Sequence, residues 1–352
     1  MILLTLVLCF LLSVAITPLV KKLAIAIGAT DKPDPRKVHQ KIMPRLGGLA
    51  IYISFIIGFL ALGLLNRETL PIIIGCTIII ITGILDDKFT LSAKLKLLGQ
   101  IVAAIIVVMN GVVIQFINLP FGGMIEFGIF SIPITILWIV GITNAVNLID
   151  GLDGLAAGVS SIALITISGM AFLKGDLFTF SLGMILLGST LGFLVHNFYP
   201  AKIFMGDTGA LFLGYMISIL SLLGFKNVTM LSLIVPIIIL GVPISDTFFA
   251  IIRRFLNKSP ISAPDKSHLH HCILRSGFSH RQTVLLIYAM AAMFSLAAFI
   301  FSQATIRGAL LVIIVMLIVI ELFVEKVGLV GNDYKPLLKF LNLKKTINSK
   351  NR

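Results

Sequence analysis

FSIPITILWIVGITNAVNLIDGLDGL, residues 130–155, joins an apolar run to a polar end. Residues 130–147 contain no charged side chain and approach the length of about 20 residues that crosses a bilayer as a helix. The polar end carries Asn147, Asp150 and Asp153. Because a charge at the bilayer centre costs about 3 kcal/mol, we expect these aspartates at the membrane boundary. The stretch predicts a membrane-spanning helix that ends in chemically reactive groups.

Apolar runs of similar length recur along all 352 residues of the chain. Hydrophobic residues make up 58% of the chain and charged residues 12%, whereas about a quarter of an average soluble domain is charged. The sequence therefore predicts an all-α, polytopic membrane protein with one domain over residues 1–352. Residues 1–324 form its transmembrane core and 325–352 a basic cytoplasmic tail. The eleven predicted spans are 2–20, 48–65, 70–85, 97–116, 130–147, 156–173, 178–195, 209–224, 229–250, 283–301 and 308–324.

The distribution of basic residues predicts how the chain is oriented in the membrane. With the N-terminus outside, the inner segments carry 24 of the 28 Lys and Arg residues, and the outer connections keep Arg67, Lys174, Lys226 and Arg307. Cytoplasmic loops carry such an excess of Lys and Arg. We therefore expect an uncleaved first helix, an outside N-terminus and a cytoplasmic C-terminus in a multi-pass protein of the cell membrane. The longer outer connection, 117–129, predicts a small hairpin or a re-entrant turn.

Charge and cysteine content exclude two classes of protein. The net charge of +13 comes from short loops beside apolar spans, so it indicates membrane topology and no nucleic-acid partner. Cys9, Cys76 and Cys272 are few, and two of them fall inside predicted spans, so neither a disulfide framework nor a cysteine-rich metal site is expected.

Aspartates gather at the inner boundary of the predicted membrane domain. Asp86 and Asp87 end the third span, Asp150 and Asp153 end the fifth, and Asp207 opens the eighth. Adjacent carboxylates repel each other unless a cation or a proton intervenes. Mg²⁺ is commonly held by one or two carboxylates together with substrate phosphates. The Asp86–Asp87 pair therefore needs a partner, for which Mg²⁺ is a candidate, although a solvated helix end beside Lys88 would also explain it.

Two motifs place these aspartates beside glycines and a helix start. Asn147, Asp150 and Asp153 follow each other at intervals of three and share one side if the segment is helical. The motif Phe204-Met-Gly-Asp-Thr-Gly209 precedes an apolar run. At that position, free backbone N–H groups of the helix would face an anion. A loop between spans and a simple helix cap are the structural alternatives.

The largest inner loop combines arginines with histidines. Arg253 and Arg254 precede His268, His270 and His271. Three histidines without a further Cys or His ligand at suitable spacing fit zinc poorly and suit donors to phosphate oxygens better. Asp246 lies seven residues before Arg253, so an ion pair on one helix face is expected there.

The combination of motifs resembles one family over nearly the whole chain. Asp86-Asp87, residues 147–156, the Phe204–Gly209 motif and His268-Leu-His-His271, in that order, resemble the polyprenyl-phosphate N-acetylhexosamine-1-phosphate transferases, of glycosyltransferase 4 type. Residues 36–39, 44–48 and 265–271 resemble the Gram-positive group of this family that starts wall teichoic acid linkage units. The resemblance implies transfer of N-acetylglucosamine 1-phosphate from UDP-N-acetylglucosamine to undecaprenyl phosphate in the lipid bilayer. UMP would be released, and Mg²⁺, or Mn²⁺ as an alternative, would be required.

The resemblance also implies roles for individual residues. It makes Asp207 the main metal ligand, with Asp86 and Asp87 acting on the metal or the lipid phosphate, and Asp150 and His270 as further catalytic groups. Phe204 would stack on uracil, with Asp153 and Asn197 nearby. The remaining implied substrate-binding residues are Lys41, Arg45, Lys96, Asn147, Arg253, Arg254, His268 and His271.

Other interpretations remain open at this point. A phospho-N-acetylmuramoyl-pentapeptide transferase is the alternative within the family, although the segment Pro44-Arg45-Leu46 departs from the pattern of that group. A secondary transporter is the alternative from another class, but its polar site would lie near the membrane midplane. An intramembrane metalloprotease is disfavoured because the chain has no His-Glu-x-x-His motif. Direct attack by the lipid phosphate is preferred over an aspartyl-phosphate route, and a homodimer is one candidate assembly.

Overall fold

The computed structural model describes residues 1–31, 42–118, 123–225, 233–256, 258, 268–327 and 336–337. These residues form thirteen α-helices and two antiparallel pairs of short strands. Eight candidate spans are long and apolar enough to cross a membrane. The predicted all-α, polytopic membrane protein is thereby confirmed in its class, whereas the number of eleven crossings stays a prediction.

The helices α1 to α13 span Ile2–Ile27, Gly47–Ala61, Leu70–Phe89, Ala93–Met109, Ser131–Ile149, Leu155–Leu173, Leu177–Asn197, Gly206–Phe225, Ile234–Ile239, Gly241–Leu256, Leu269–Arg275, His280–Gln303 and Ile306–Val327. The strands β1 and β2 are Thr30–Asp31 and Met43–Pro44, and β3 and β4 are Phe116–Asn118 and Met124–Glu126. The pairing of β3 with β4 confirms a hairpin in the connection 117–129. Each predicted span coincides with at least one helix.

The ninth predicted span is interrupted. The sequence suggested one helix over 229–250, but the structure has α9 and α10, which meet at Leu240. Pro243 explains the break, because a proline has no N–H to donate to the carbonyl four residues earlier and its ring crowds that carbonyl. In the first turn of a new helix the same proline is well tolerated. The second half, α10, then continues as far as Leu256.

Helix α8 forms the centre of the bundle. Its residues from Ala210 to Leu222 are nearly all buried, and it packs against α2, α3, α5, α6 and α7. Helices α1 and α13 lie at the periphery, where large apolar side chains such as Leu4, Leu11 and Leu311 are exposed. Exposed apolar surface on a membrane protein faces lipid, so the packing of the central helices has to come from close fit.

Glycines bring α2 and α3 against the first turn of α8. A Cβ atom added to Gly83 of α3 would collide with the backbone of Thr208, and one added to Gly48 of α2 would collide with that of Gly209. Small residues at helix contacts in membranes permit this close approach. Since Asp87 lies one turn after Gly83 on the same face of α3, the contact also carries its carboxyl group to the start of α8.

The close contact at Gly83 gives the first testable expectation. Gly83→Ala should destabilise the folded protein by about 1–3 kcal/mol, as overpacking of a tight contact does. The measurement is thermal unfolding of the purified protein in detergent. Gly169→Ala is the matched control, because Gly169 is also helical but a Cβ there meets nothing within 4 Å. Equal unfolding midpoints for the two variants would show that α3 does not need the glycine.

Candidate functional site

A cavity of about 490 Å³ opens at the end of the bundle where α3 and α5 end and α4 and α8 begin. Its walls come from segments far apart in the sequence. Ten of the sixteen residues predicted from the sequence line it, namely Arg45, Lys96, Asn147, Asp150, Asp153, Asn197, Phe204, Asp207, His270 and His271. Asp86, Asp87, Arg253, Arg254 and His268 do not line it, and Lys41 lies outside the described residues.

The carboxylate of Asp87 caps the N-terminus of α8. Its Oδ1 accepts a hydrogen bond from the backbone N–H of Asp207 at 2.9 Å. Its Oδ2 accepts from the N–H of Thr208 at 3.0 Å and from the Thr208 hydroxyl at 2.7 Å. The sequence suggested that these N–H groups face an anionic ligand, but in the structure the anion is this aspartate from α3. A negative charge at the positive end of a helix satisfies donors that have no partner inside the helix.

Gly206 allows this capped turn to form. Its φ angle is +71°, a left-handed conformation that favours glycine. A Cβ atom at this position would also collide with the Asp87 carboxylate. The glycine of the Met-Gly-Asp-Thr motif is therefore needed to form the turn, in addition to any chemical role of the motif.

Two basic side chains bridge the aspartates from the cavity side. Lys96 Nζ lies 2.7 Å from Asp207 Oδ2 and 3.2 Å from Asp86 Oδ2. Arg45 Nη2 lies 3.4 Å from Asp207 Oδ1 and 3.5 Å from Asp87 Oδ1. Both side chains are about a quarter exposed, at 26% and 27%, so they contact the carboxylates and the cavity at once.

The segment around Arg45 is held by backbone pairing with the segment around Phe204. The Phe204 N–H donates to Pro44 O, and the Gly47 and Gly48 N–H groups donate to Phe204 O and Met205 O. A Cβ on Gly47 would collide with Phe193. The Pro-Arg-Leu-Gly-Gly motif thus fixes Arg45 and Phe204 beside each other at the cavity wall, a contact that the sequence alone did not reveal.

The turn that carries Asp150 and Asp153 differs from its predicted form. Asn147 is helical, but α5 ends at Ile149, and Gly154 adopts a left-handed conformation with φ of +77°. The three polar side chains therefore do not share one helix face, although all three line the cavity. Burial and the neighbouring Asp207 carboxylate raise the pKa of Asp150 to about 7. Among the described residues its carboxylate has no hydrogen-bond donor, so its oxygens remain available to a ligand.

The histidines divide into two groups. His270 and His271 line the cavity, whereas His268 is buried and its Nδ1 lies 3.0 Å from Asp246 Oδ2. Asp246 Oδ1 also accepts from the Leu269 N–H at 2.8 Å, so this aspartate orders the start of α11. The sequence suggested Arg253 as its partner and did not identify His268. Burial, and then the neighbouring His271, lower the pKa of His270 to about 3, so its imidazole is neutral near pH 7.

Besides residues 151, 152, 205 and 206 of the two motifs, three further side chains line the cavity that the sequence did not single out: Asp31, Tyr199 and His280. Asp31 Oδ1 lies 3.9 Å from Arg45 Nη1. The rings of Tyr199 and His280 are 4.6 Å apart. Tyr199 follows Asn197 by two residues, and that proximity was an available signal. His280 lies three residues before the predicted span 283–301, and the sequence gave no signal for it.

The charges around the cavity fit a divalent cation. The described carboxylates of Asp31, Asp86, Asp87, Asp150, Asp153 and Asp207 outnumber the two bridging cations, Lys96 and Arg45. No group of three or more Asp, Glu, His or Cys residues arranged to hold an ion occurs among the described residues. Mg²⁺ needs no such cage, because one or two carboxylates, waters and substrate phosphates complete its shell. Asp207 and Asp150 have the oxygen chemistry and the position for this kind of site.

Lys96 gives a testable expectation for the ion-pair network. Lys96→Ala removes the cation between two buried carboxylates and should destabilise the fold by about 1–3 kcal/mol, since its own partial exposure reduces the penalty of an unpaired buried charge. Lys94→Ala, an exposed lysine of the same helix, should change stability by less than about 0.5 kcal/mol. Unfolding in detergent provides the measurement.

A double-mutant cycle separates the ion pair from general damage. Combining Lys96→Ala with Asp207→Asn should cost less than the sum of the two single changes. Additive losses would show that the two side chains do not depend on each other.

Comparison with known proteins places the chain among membrane transferases. Residues 69–225 match the model of glycosyl transferase family 4. A protein of Bacillus subtilis named as a probable undecaprenyl-phosphate N-acetylglucosaminyl 1-phosphate transferase is 56% identical over 328 residues, which cover 92% of each chain. A decaprenyl-phosphate N-acetylglucosaminephosphotransferase of Mycolicibacterium smegmatis is 35% identical, over 86% of this chain and 84% of its own. A phospho-N-acetylmuramoyl-pentapeptide-transferase of Halalkalibacterium halodurans is 31% identical, over 84% of this chain and 96% of its own.

Proposed function

This chain belongs to glycosyl transferase family 4, and we propose that it transfers N-acetylglucosamine 1-phosphate from UDP-N-acetylglucosamine to undecaprenyl phosphate. The products are undecaprenyl-diphosphate-N-acetylglucosamine and UMP. The reaction is the first membrane step in making teichoic acid or another cell-wall polymer. The observation that carries the proposal is the cavity at one end of an apolar bundle, where aspartates, a lysine and an arginine from distant segments converge.

The position of the cavity suits the two substrates. The donor is a soluble nucleotide sugar, whereas the acceptor is anchored in the bilayer by its lipid chain. A site at the end of the helices of a membrane domain is reached from both phases. A secondary transporter would place its polar groups near the midplane, on broken helices. Here the broken pair α9 and α10 contributes no lining residue to the cavity.

The reaction joins two phosphate groups, so repulsion between anions is its main obstacle. An oxygen of the lipid phosphate attacks the phosphorus that carries the sugar, and the bond from that phosphorus to UMP breaks. A phosphate monoester has a second pKa of about 6, so the nucleophile is already mostly dianionic near neutrality. Lys96 and Arg45 reach the cavity and would neutralise developing negative charge. Direct attack therefore needs positioning and charge more than a strong base.

Magnesium is the proposed cofactor, and Mn²⁺ is an alternative. Asp207 and Asp150, which line the cavity, would hold the ion together with the phosphate oxygens of the donor. When bound, such an ion screens the charge of the transferring group and orients it. Asp86, paired with Lys96, is a further candidate ligand. Asp87 would act indirectly, since both its oxygens bind the first turn of α8.

The remaining lining residues suggest how the donor lies. Phe204 would stack on the uracil ring, with Asp153 and Asn197 close to it at the same wall. His270 and His271 would face the diphosphate or the sugar. Since His270 is neutral near pH 7, it would donate one N–H hydrogen bond and contribute no full positive charge. His270 would therefore contact the donor through a hydrogen bond and not through a full positive charge, which differs from a histidine cluster that binds the donor only as cations.

The pentapeptide transferase remains the alternative within the family. The Bacillus relative is 56% identical, whereas the Halalkalibacterium pentapeptide transferase is 31% identical. Arg45 also fills a position beside Phe204 and Asp207 at the cavity wall, within the segment that departs from the pentapeptide group. Both observations favour a donor without a peptide.

The donor preference gives a direct test. The purified protein with undecaprenyl phosphate and Mg²⁺ should release UMP from UDP-N-acetylglucosamine and not from UDP-N-acetylmuramoyl-pentapeptide. Excess EDTA should stop the release, and added Mg²⁺ should restore it. Asp207→Asn, which keeps the size of the side chain, should lower the rate about 100-fold or more. Release of UMP from the pentapeptide donor alone would replace the proposal by its alternative.

We further infer that the cavity faces the cytoplasm, with eleven crossings and the N-terminus outside. The positive-inside distribution of Lys and Arg supports this orientation. Arg67 and Lys88 are exposed near opposite ends of α3 and report on the two sides.

Thiol labelling tests this orientation. In a chain with Cys9, Cys76 and Cys272 replaced by alanine, a membrane-impermeant maleimide should label Arg67→Cys in intact cells stripped of their wall. It should label Lys88→Cys only after the membrane is opened. Labelling of Lys88→Cys in intact cells would reverse the predicted topology.

A further inference from the structure

The turn between α5 and α6 is bound by two side chains of α12. The Asp153 N–H donates to His280 Nε2 at 3.1 Å. One residue further on, the Tyr288 hydroxyl donates to Gly154 O at 2.6 Å. Residues 280 and 288 are eight apart and therefore lie on one face of α12. Backbone groups of the turn that carries Asp150 and Asp153 thus depend on a helix far away in the sequence.

His280 is itself held in place. It is the first residue of α12, after Ser279, whose side chain forms a capping box with Gln282. Its ring packs against Tyr199 with a centroid distance of 4.6 Å and an interplanar angle of 30°. A ring nitrogen that accepts an N–H hydrogen bond must carry its lone pair, so His280 is neutral with its proton on Nδ1. The positive end of α12 also disfavours an imidazolium at this position.

Tyr288 fits a space that glycines leave open. A Cβ atom on Gly158 of α6 would collide with the Tyr288 ring, and one on Gly154 would be within 3.3 Å of its hydroxyl. The α6 and α12 helices therefore approach closely at the turn. This packing holds the Tyr288 hydroxyl within hydrogen-bonding distance of Gly154 O.

The same part of the chain also carries the cavity histidines. Helix α11, which bears His270 and His271, ends at Arg275, only a few residues before α12 begins. A Cβ on Gly151 of the turn would collide with the His270 ring, so the two walls touch there. Asp153 Oδ2 in turn accepts from the Ala201 N–H at 2.9 Å, on the segment that leads to Phe204.

We propose that His280 is a positioning residue for the donor side of the site. Its Nε2 holds the Asp153 backbone so that the Asp150 and Asp153 carboxylates keep their places in the cavity, and the Tyr288 hydroxyl supports the same turn at Gly154. The inference rests on the proposed function, which assigns Asp150 to the metal and Asp153 to the nucleotide. It extends that function to two residues of α12 that bind the backbone of the turn.

A matched pair of substitutions tests the hydrogen bond. In His280→Gln the amide oxygen can occupy the place of Nε2, whereas in His280→Asn the side chain is polar but too short to reach it. The Asn variant should lower kcat/KM for UDP-N-acetylglucosamine about 10- to 100-fold, because misplacement by about 1 Å costs that much. The Gln variant should stay within about threefold of the parent chain. KM for undecaprenyl phosphate should not change in either.

Tyr288→Phe supplies a second variant that keeps the ring. It removes one hydrogen bond, so the donor kcat/KM should fall about tenfold. Tyr52→Phe is its control, because the Tyr52 hydroxyl binds Thr77 on α3 and does not line the cavity. Tyr52→Phe should leave the kinetics unchanged.

Each outcome of these experiments bears on the inference. Equal kinetics for His280→Gln and His280→Asn, or equal losses for donor and acceptor, would overturn it. If the parent chain releases UMP and the Gln and Asn variants are alike, the proposed function stands and only the positioning role fails. If the parent chain releases no UMP from either UDP-N-acetylglucosamine or the pentapeptide donor, the proposed function is wrong and this inference fails with it.

Discussion

The buried hydrogen bonds from the start of α8 to the Asp87 carboxylate are the interaction on which the site depends. They join α3, whose last turn carries Asp86 and Asp87, to the helix at the centre of the bundle. A carboxylate with no exposed side-chain surface is stable only where its charge is compensated, and the helix terminus together with Arg45 provides this. Gly83 and Gly48 make the approach possible, because any side chain there would hold the helices apart. The contact between Asp87 and the start of α8 thus holds two helices together and also positions the residues beside the cavity.

The same contact determines the charge of the cavity. Because Asp87 binds the first turn of α8, it does not line the cavity, and the carboxylates that do are those of Asp31, Asp150, Asp153 and Asp207, beside the cations Lys96 and Arg45. The two proposed substrates are themselves anionic. A site of this charge would bind phosphates only together with cations, and this excess of negative charge is a reason for the proposed magnesium ion that does not depend on the resemblance. The pKa of Asp150 is raised first by burial and then by the neighbouring Asp207 carboxylate.

The sequence was informative where one local rule dominates. Long apolar runs predicted the helices, and the cost of charge in a bilayer placed the aspartates at one end of the bundle, where the structure brings Asp150 and Asp207 together.

The sequence was misleading where the position of a side chain depends on packing between distant segments. Spacing suggested that Asn147, Asp150 and Asp153 share a helix face, but α5 ends at Ile149 and Asp150 is already non-helical. Nothing in the local pattern indicates that Asp246 meets His268, or that His280 accepts from Asp153. Those contacts exist only after α10, α11 and α12 have packed.

Adjacent aspartates also need not share a task. Successive residues of a helix point about 100° apart, so Asp86 and Asp87 face different neighbours. Asp87 turns inward to Thr208, whereas Asp86 accepts from the Leu91 N–H at 2.7 Å and pairs with Lys96 at 3.2 Å. The resemblance treats the pair as one functional unit that acts on the metal or the lipid phosphate. The geometry divides it into a structural cap, Asp87, and a group that is coupled to the cavity through Lys96, Asp86. Of the two, Asp86 is therefore the one whose charge would act, by way of Lys96, on a phosphate or metal ion bound in the cavity.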